Sequence, residues 1–199
     1  MQEFISFKKI VRYSREVIVT EKIDGTNAQV FIGNDGEFLT GSRNRWITPE
    51  ADNYGFSKWA YDHKDELMML GPGRHYGEWW GSGINRGYGL IGTDKRFSIF
   101  NVIRWCKNED SRQQIHSLDS RVVAVQDVLP PCVSLVPVLW RGRFDDMNLS
   151  LIMGHLHLMG SVAAPGYMRP EGVVIYHVVG NVLFKKTLEK DETPKSIAR

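Results

Sequence analysis

Short apolar runs separated by glycine turns are the feature that most constrains the fold of this 199-residue chain. The runs at 27–32 and 37–42 flank Gly-Asn-Asp-Gly at 33–36, a strong turn signal that predicts a hairpin. Because strands dominate and many are linked by hairpins, the sequence predicts an α+β domain with antiparallel sheets and few helices. The other predicted strands are 16–22, 73–80, 96–105, 121–128, 134–139, 171–179 and 181–187.

Two segments place apolar residues at near-helical spacing. The first covers 53–70 and stops at the Gly-Pro-Gly of 71–73, and the second covers 147–162. The glycine-rich segment 81–92 lacks the strand–GxxxxGK[ST]–helix pattern of a phosphate loop. We therefore interpret it as a flexible loop that faces the substrate.

Composition excludes several classes of protein. The chain is 42% hydrophobic and 24% charged, close to an average soluble protein, and it contains no apolar run that predicts a membrane span. Its N-terminus lacks the features of a signal peptide, and its two cysteines match neither a disulfide framework nor a metal-ligand set. A cytoplasmic location is therefore expected. The net charge of +2 is compatible with a local phosphate site but does not indicate a long duplex-binding face.

The octet Thr-Glu-Lys-Ile-Asp-Gly-Thr-Asn at 20–27 places Lys22 at the end of a predicted strand, between two acids. An isolated lysine amine is protonated at pH 7, so it attacks only where cations, metal ions or desolvation favour its neutral form. The Lys-x-Asp-Gly pattern is short, and a surface lysine at a strand end is the common alternative. Other segments must therefore supply the cations or metal-binding groups that such a lysine needs.

Three segments in the first half of the chain carry candidate ligand-binding groups. Arg43 or Arg45, which follow the predicted hairpin, can hold a phosphate or a ribose. Glu78 lies among aromatic residues, where a carboxylate is costly unless it binds a partner such as a sugar hydroxyl or a metal. Phe100 can stack on a base, although most phenylalanines in such strands are core residues.

Two segments in the second half complete the set. Glu171 places an acid at the start of an apolar strand. Lys185 and Lys186 are neighbours within a predicted strand. Because consecutive side chains of a strand point to opposite faces, only one of these two lysines is expected to face the site.

Taken in order, these segments resemble the motifs of the covalent nucleotidyltransferases, the superfamily of ATP-dependent DNA ligases, RNA ligases and mRNA-capping enzymes. Thr26-Asn27 looks most like the RNA ligase 2-type, nick-sealing family, whereas DNA ligases and capping enzymes more often have an arginine two residues after the glycine. The resemblance runs from about residue 4 to residue 188. The matching segments are 22–25, 42–43, 76–78, 97–101, 171–174 and 185–186.

The resemblance implies a nucleotidyltransferase (ATP-grasp-like) domain over 1–188, with a polar tail over 189–199 and no appended OB-fold or helical domain. It implies that Lys22 becomes adenylylated. The remaining roles that it implies are adenine or cofactor contact for Glu21 and Ile23, nucleotide and phosphate contact for Asn27 and Arg43, ribose contact for Glu78, base stacking for Phe100, metal contact for Glu171, and phosphate contact for Lys185 or Lys186.

The chain departs from the family pattern at three points. Its two lysines are adjacent where the family often has Lys-x-Lys, so either Leu183 or Phe184 replaces one of the pair. Asn101 stands where the family often has an aspartate. The sequence also stops soon after the last motif, which suggests that a protein partner replaces a second domain.

The function implied by the resemblance is ATP-dependent RNA ligation. Lys22 would take AMP from ATP, with Mg²⁺ or Mn²⁺, and pass it to the 5′-phosphate of an RNA, and a 3′-hydroxyl would then seal the break, as in a nicked duplex. One alternative is the same chemistry on DNA, or with GTP as in capping. Another is a non-catalytic module that binds nucleotides or RNA ends.

Overall fold

The computed structural model describes residues 3–7, 9–105, 129–189 and 191–192. The strands are β1 Glu16–Lys22, β2 Thr26–Ile32, β3 Phe38–Ser42, β4 Trp46–Ile47, β5 Gly73–Gly81, β6 Lys95–Ile99, β7 Val133–Leu135, β8 Val138–Arg143, β9 Gly172–His177 and β10 Val182–Thr187. The helices are α1 Phe56–Asp62, α2 Lys64–Leu67, α3 Val102–Trp105 and α4 Leu149–Met159, and 3₁₀ turns occupy Met68–Leu70, Gly87–Gly89 and Phe144–Asp146.

The strands form two sheets. The larger sheet has the order β4-β3-β2-β5-β6-β7, and the smaller has the order β10-β9-β1-β8. Every described pairing is antiparallel except that of β6 with β7, which is parallel. The prediction of an α+β fold with antiparallel sheets and few helices is confirmed.

Apolar side chains hold the two sheets together and cover their outer faces. Ile18 of the smaller sheet and Trp80 of the larger one belong to the same buried cluster, so the sheets pack against each other there. On the far side of the larger sheet, Phe56 of α1 joins the core formed by β2 and β5. On the far side of the smaller sheet, Leu156 of α4 packs with Val19 of β1.

Three predicted elements differ from the structure. The strand expected over 96–105 ends at Ile99, because the side-chain oxygen of Asn101 accepts the Arg104 N–H at 3.2 Å and begins α3. The helix expected over 53–70 is divided at His63 into α1 and α2, and ends in a 3₁₀ turn. The strand expected over 134–139 is divided into β7 and β8, with Pro137 between them. The strand expected over 121–128 lies outside the described residues.

The chain crosses from the smaller sheet to the larger one directly after Lys22. β1 ends at Lys22, a short turn follows, and β2 begins at Thr26 in the other sheet. A Cβ atom at Gly25 would lie 2.4 Å from the carbonyl oxygen of Trp79, so only glycine fits this crossing. Lys22 is therefore placed where the two sheets meet. None of the helices in the described ranges is long and apolar enough to span a membrane.

Candidate active site

Lys22 lies beside an acid from the neighbouring strand. The register of β1 and β9 pairs Lys22 with Gly172, so the preceding residue, Glu171, reaches the lysine amine. The Nζ atom of Lys22 donates to Oε2 of Glu171 at 2.5 Å. The Glu171 side chain is 3% exposed and that of Lys22 is 22% exposed, so the amine contacts a buried carboxylate and still reaches solvent.

Glu78 approaches the same lysine from the larger sheet. Its two carboxylate oxygens accept the Gly25 N–H at 3.0 Å and the side-chain amide of Asn27 at 3.5 Å. Burial raises the pKa of Glu78 to about 7. The charge of Lys22 and the Gly25 N–H oppose that rise, and the charge of Glu171 adds to it. The site therefore places one lysine beside two acids, and the charge of Glu171 disfavours ionisation of Glu78.

The oxygen donors of this site suit a hard divalent cation that arrives with phosphates. Among the residues that the structure describes, no group of three or more His, Cys, Asp or Glu side chains is arranged to hold a metal by itself. Mg²⁺ is usually bound through one or two carboxylates together with substrate phosphates. Glu171 and Glu78 are carboxylates of that kind.

The other predicted nucleotide contacts lie along one edge of the larger sheet. Asn27 is paired with Glu78 across β2 and β5. Arg43 is exposed and directly follows Ser42, the residue that pairs with Ala28 beside Asn27. Phe100 follows β6, its N–H donates to the Tyr76 carbonyl at 2.8 Å, and its ring is 40% exposed. The structure thus leaves Arg43 and Phe100 open to a ligand.

Two predicted cofactor-binding side chains are enclosed by protein instead. One Glu21 oxygen accepts the Ser161 hydroxyl at 2.6 Å, and the other accepts the Val162 and Ala163 N–H groups at 2.8 and 2.9 Å. Burial raises the pKa of the Glu21 carboxyl, and these three hydrogen bonds oppose the rise. Ile23 is buried between the sheets. Contact of either residue with a nucleotide stays a prediction, and the carboxylate of Glu21 is already fully used.

The sheet register distinguishes the two adjacent lysines of β10. Lys185 is paired with Val174, which is paired with Thr20, two residues before Lys22. Since paired residues share a face and side chains alternate along a strand, Lys185 lies on the Lys22 side of the smaller sheet.

Lys186 lies on the opposite side. It is paired with Val173, which is paired with Glu21. Its amine donates to the carboxylate of Asp191 at 2.7 Å, and this ion pair raises the pKa of Lys186. Of the two lysines, Lys185 is therefore the one placed to reach phosphates at Lys22.

Sequence reasoning missed the residues that fix the turn after Lys22. The Asp24 N–H donates to the Tyr88 hydroxyl at 2.9 Å. The Asp24 carboxylate accepts from the Asn85 amide at 3.1 Å and from Arg86 Nε at 3.2 Å. The segment 81–92, interpreted from sequence as a flexible loop, instead carries a buried Tyr88 and is bonded to the Lys22 turn. The only sequence signal was Asp24 itself, which lacked an identifiable partner.

The two sheets meet at Lys22, and Glu78 and Glu171 approach it from opposite sides of that junction. The family model described as RNA ligase matches residues 15–187. The chain therefore belongs to the RNA ligase family. No curated protein matches the chain.

Solved structures of RNA ligases from Naegleria gruberi share the fold. A variant with ATP and Mn has a TM-score of 0.58 and 21% identity over 91% of this chain and 52% of its own. Another variant with ATP and Mn has a TM-score of 0.57 and 19% identity over 95% of this chain and 58% of its own. The ligase with PPi has a TM-score of 0.57 and 22% identity over 91% of this chain and 53% of its own. The chain thus spans a little over half the length of these ligases.

Proposed function

We propose that this chain is the adenylyltransferase domain, over residues 1–188, of an ATP-dependent RNA ligase. Lys22 Nζ attacks the α-phosphorus of ATP, a P–N bond forms, and the bond to pyrophosphate breaks. The AMP then moves from Lys22 to the 5′-phosphate of an RNA. A 3′-hydroxyl displaces AMP, and the phosphodiester bond is made.

The contact of Lys22 with Glu171, faced by Glu78, is the observation that carries this proposal. Phosphoryl transfer requires mainly positioning and neutralisation of charge. Glu171 orients the amine, and the proton lost as the P–N bond forms passes to solvent, which the Lys22 side chain reaches. Lys185 would hold the phosphates of ATP, and Glu78 and Asn27 would orient its ribose. A Mg²⁺ or Mn²⁺ ion bound by Glu171 and phosphate oxygens would add positive charge at the α-phosphate.

Family membership and the ATP, Mn and PPi in the N. gruberi structures support this choice of nucleotide and metal. The same membership supports RNA as the substrate, and we propose that its ends are a 5′-phosphate and a 3′-hydroxyl, as in a nicked duplex. We also propose that a protein partner that engages the RNA accelerates sealing.

Covalent labelling tests the first step. Incubation with α-labelled ATP and Mg²⁺ or Mn²⁺ should label the protein, and mass spectrometry should locate AMP on Lys22. Lys22→Ala should abolish the label, whereas Lys58→Ala should keep it, since Lys58 forms an exposed pair with Asp62 within α1. A protein that binds ATP tightly but is never labelled would instead be the non-catalytic module.

The later steps need separate substrates. Adenylylated protein should transfer AMP to nicked RNA and seal it faster than nicked DNA of the same sequence. Excess unlabelled ATP should suppress labelling, and GTP should not. Faster sealing of DNA, or suppression by GTP, would favour the alternatives of a DNA ligase or a capping-type enzyme.

A further inference from the structure

We propose that the inner face of the larger sheet, where it extends beyond its contact with the smaller sheet at Trp80, binds a single-stranded segment of RNA by stacking its bases on exposed aromatic side chains. We call Trp46, Tyr76 and Phe100 the aromatic row. Phe100 is the ring that the resemblance assigns to the base of the nucleotide, so the RNA bases would stack on Trp46 and Tyr76. The inference rests on the proposed function, because it assigns the surface that would guide RNA to Lys22. It gives a role to two residues, Trp46 and Tyr76, to which the resemblance assigns none.

The sheet register places the three rings on one line. Trp46 is paired with Gly41, Gly41 with Gln29, and Gln29 with Tyr76, and Phe100 donates its N–H to the Tyr76 carbonyl. Because paired residues share a face, all three rings rise from the same side of the sheet. That side is opposite to the one packed against α1.

The rings are exposed and spaced to receive bases. Trp46 is 45% exposed, Tyr76 is 52% exposed and Phe100 is 40% exposed. With about 4.8 Å between strands, Tyr76 and Phe100 rise about 5 Å apart, and Trp46 stands about 14 Å from Tyr76. RNA-binding sheets of four strands stack two or three bases on aromatic side chains in the same manner.

The surface between Trp46 and Tyr76 is flat. A Cβ at Gly41 would lie 2.8 Å from Cγ of Gln29, so the glycine lets the Gln29 side chain lie against the sheet. The amide of Gln29 donates to the Ser42 carbonyl at 3.3 Å and accepts from Arg74 at 3.3 Å. Because both ends of the Gln29 amide are held, it forms a fixed floor on which a base can lie.

Cations border the aromatic row at its Trp46 end. The guanidinium of Arg74 lies 4.9 Å from the centre of the Phe31 ring and 5.1 Å from that of Trp46. Arg43 and Arg45 are exposed in the turn before Trp46. Among the described residues, none of these three arginines forms an ion pair with an acid. Exposed rings next to unneutralised cations are complementary to the bases and phosphates of a nucleic acid strand.

The aromatic row is continuous with the candidate active site. The next pair along β2 and β5 on the same face is Asn27 with Glu78, and Glu78 faces Lys22. An RNA strand stacked on Tyr76 would therefore bring its end towards the lysine. Rings with bordering arginines also suit bases better than they suit an apolar peptide, which would need aliphatic contacts.

Fluorescence anisotropy with a short, fluorescent, single-stranded RNA tests the proposal. The measurement uses the Lys22→Ala background, so that the RNA is not consumed. Trp46→Ala and Tyr76→Ala should each raise the dissociation constant roughly 5- to 100-fold, which is the loss of affinity expected for one stacked base. Tyr76→Phe and Trp46→Phe should restore most of the affinity, because the ring rather than the polar atom makes the contact.

Tyr61→Ala is the matched control. Tyr61 is a similarly exposed tyrosine, but it lies on α1, on the other side of the same sheet. It should leave RNA affinity unchanged. Thermal melting of each variant separates lost binding from lost folding.

Two results would overturn the proposal: unchanged affinity in both alanine variants, or an equal loss of affinity in Tyr61→Ala. Failure of the proposed function gives a different signature. In that case, wild-type protein is not labelled by ATP, whatever the anisotropy shows. If both proposals hold, Trp46→Ala and Tyr76→Ala with Lys22 intact are labelled by ATP at the wild-type rate but seal RNA slowly.

Discussion

Adjacent residues on the two faces of β1 differ in burial and in hydrogen bonding. On one face, Glu21 is buried and its oxygens accept three hydrogen bonds from the segment after α4. On the other face, Lys22 makes one close contact with Glu171 and keeps part of its side chain in solvent. Two consecutive positions of one motif therefore do different work: Glu21 holds the strand in place, and Lys22 is left available for chemistry.

The lysines of β10 repeat this division. Lys185 shares a face with Lys22, and Lys186 shares a face with Glu21 and is paired with Asp191. The comparison teaches that position in a motif does not define a role until the strand register is known. It also yields substitutions that act on one face at a time.

The largest difference in the rate of lysine–AMP formation is expected between alanine variants of the two lysines of β10. Lys185→Ala should slow lysine–AMP formation by roughly 10²-fold, the cost typical of removing one group that stabilises developing charge. Lys186→Ala should leave the rate within about threefold of wild type, because its amine is directed to Asp191 on the other face. Single-turnover labelling with α-labelled ATP measures both. Equal losses would mean that the register does not determine which lysine serves the phosphates.

Removing Glu21, which lies on the face of β1 opposite to Lys22, should affect folding more than chemistry. Glu21→Ala leaves the Ser161 hydroxyl and two backbone N–H groups without their acceptor, at a cost of about 4 kcal/mol in the free energy of unfolding. Urea unfolding measures it. Glu16→Ala, on the same strand but in a half-exposed pair with Arg141, is the control and should cost less than about 1 kcal/mol. A Glu21→Ala protein as stable as the control would show that this carboxylate is not an anchor.

A smaller, pH-dependent effect is expected at Glu78. Its pKa of about 7 in the folded protein exceeds its ordinary value of 4.5, so between these values the folded state holds a proton that the unfolded chain has lost. The free energy of unfolding contributed by Glu78 therefore falls as pH rises through this window, by about 3 kcal/mol. The Glu78→Gln variant should not show this fall in the free energy of unfolding with pH. Urea unfolding of both proteins across the window measures it, and parallel curves would contradict the assignment.

Much of the fold follows from local patterns in the sequence. The hairpin of β2 and β3, the strands β1, β5, β9 and β10, and helix α4 are all near their predicted positions, because alternation and turn residues act over short distances. The predicted end of β6 was wrong because the Asn101 side chain begins a helix. The spacing of apolar residues does not reveal such a hydrogen bond.

The candidate site was only partly predictable, because its contacts join distant segments. The motif order indicated Lys22, Glu78 and Glu171, which the structure brings together. The enclosure of Glu21 depends on a turn 140 residues away in sequence, and the bonds to Asp24 come from a segment that looked like an open loop. No local pattern carries that information.

The pairing of β1 has a consequence for the order in which the protein is made. β1 lies between β8 and β9, whose residues are 138–143 and 172–177. The strand that bears Lys22 is therefore synthesised well before either of its partner strands. Such non-local pairing folds slowly and leaves strand edges exposed in the meantime. A nascent chain therefore carries Lys22 long before it carries Glu171, and it cannot assemble the candidate site until β9 is synthesised.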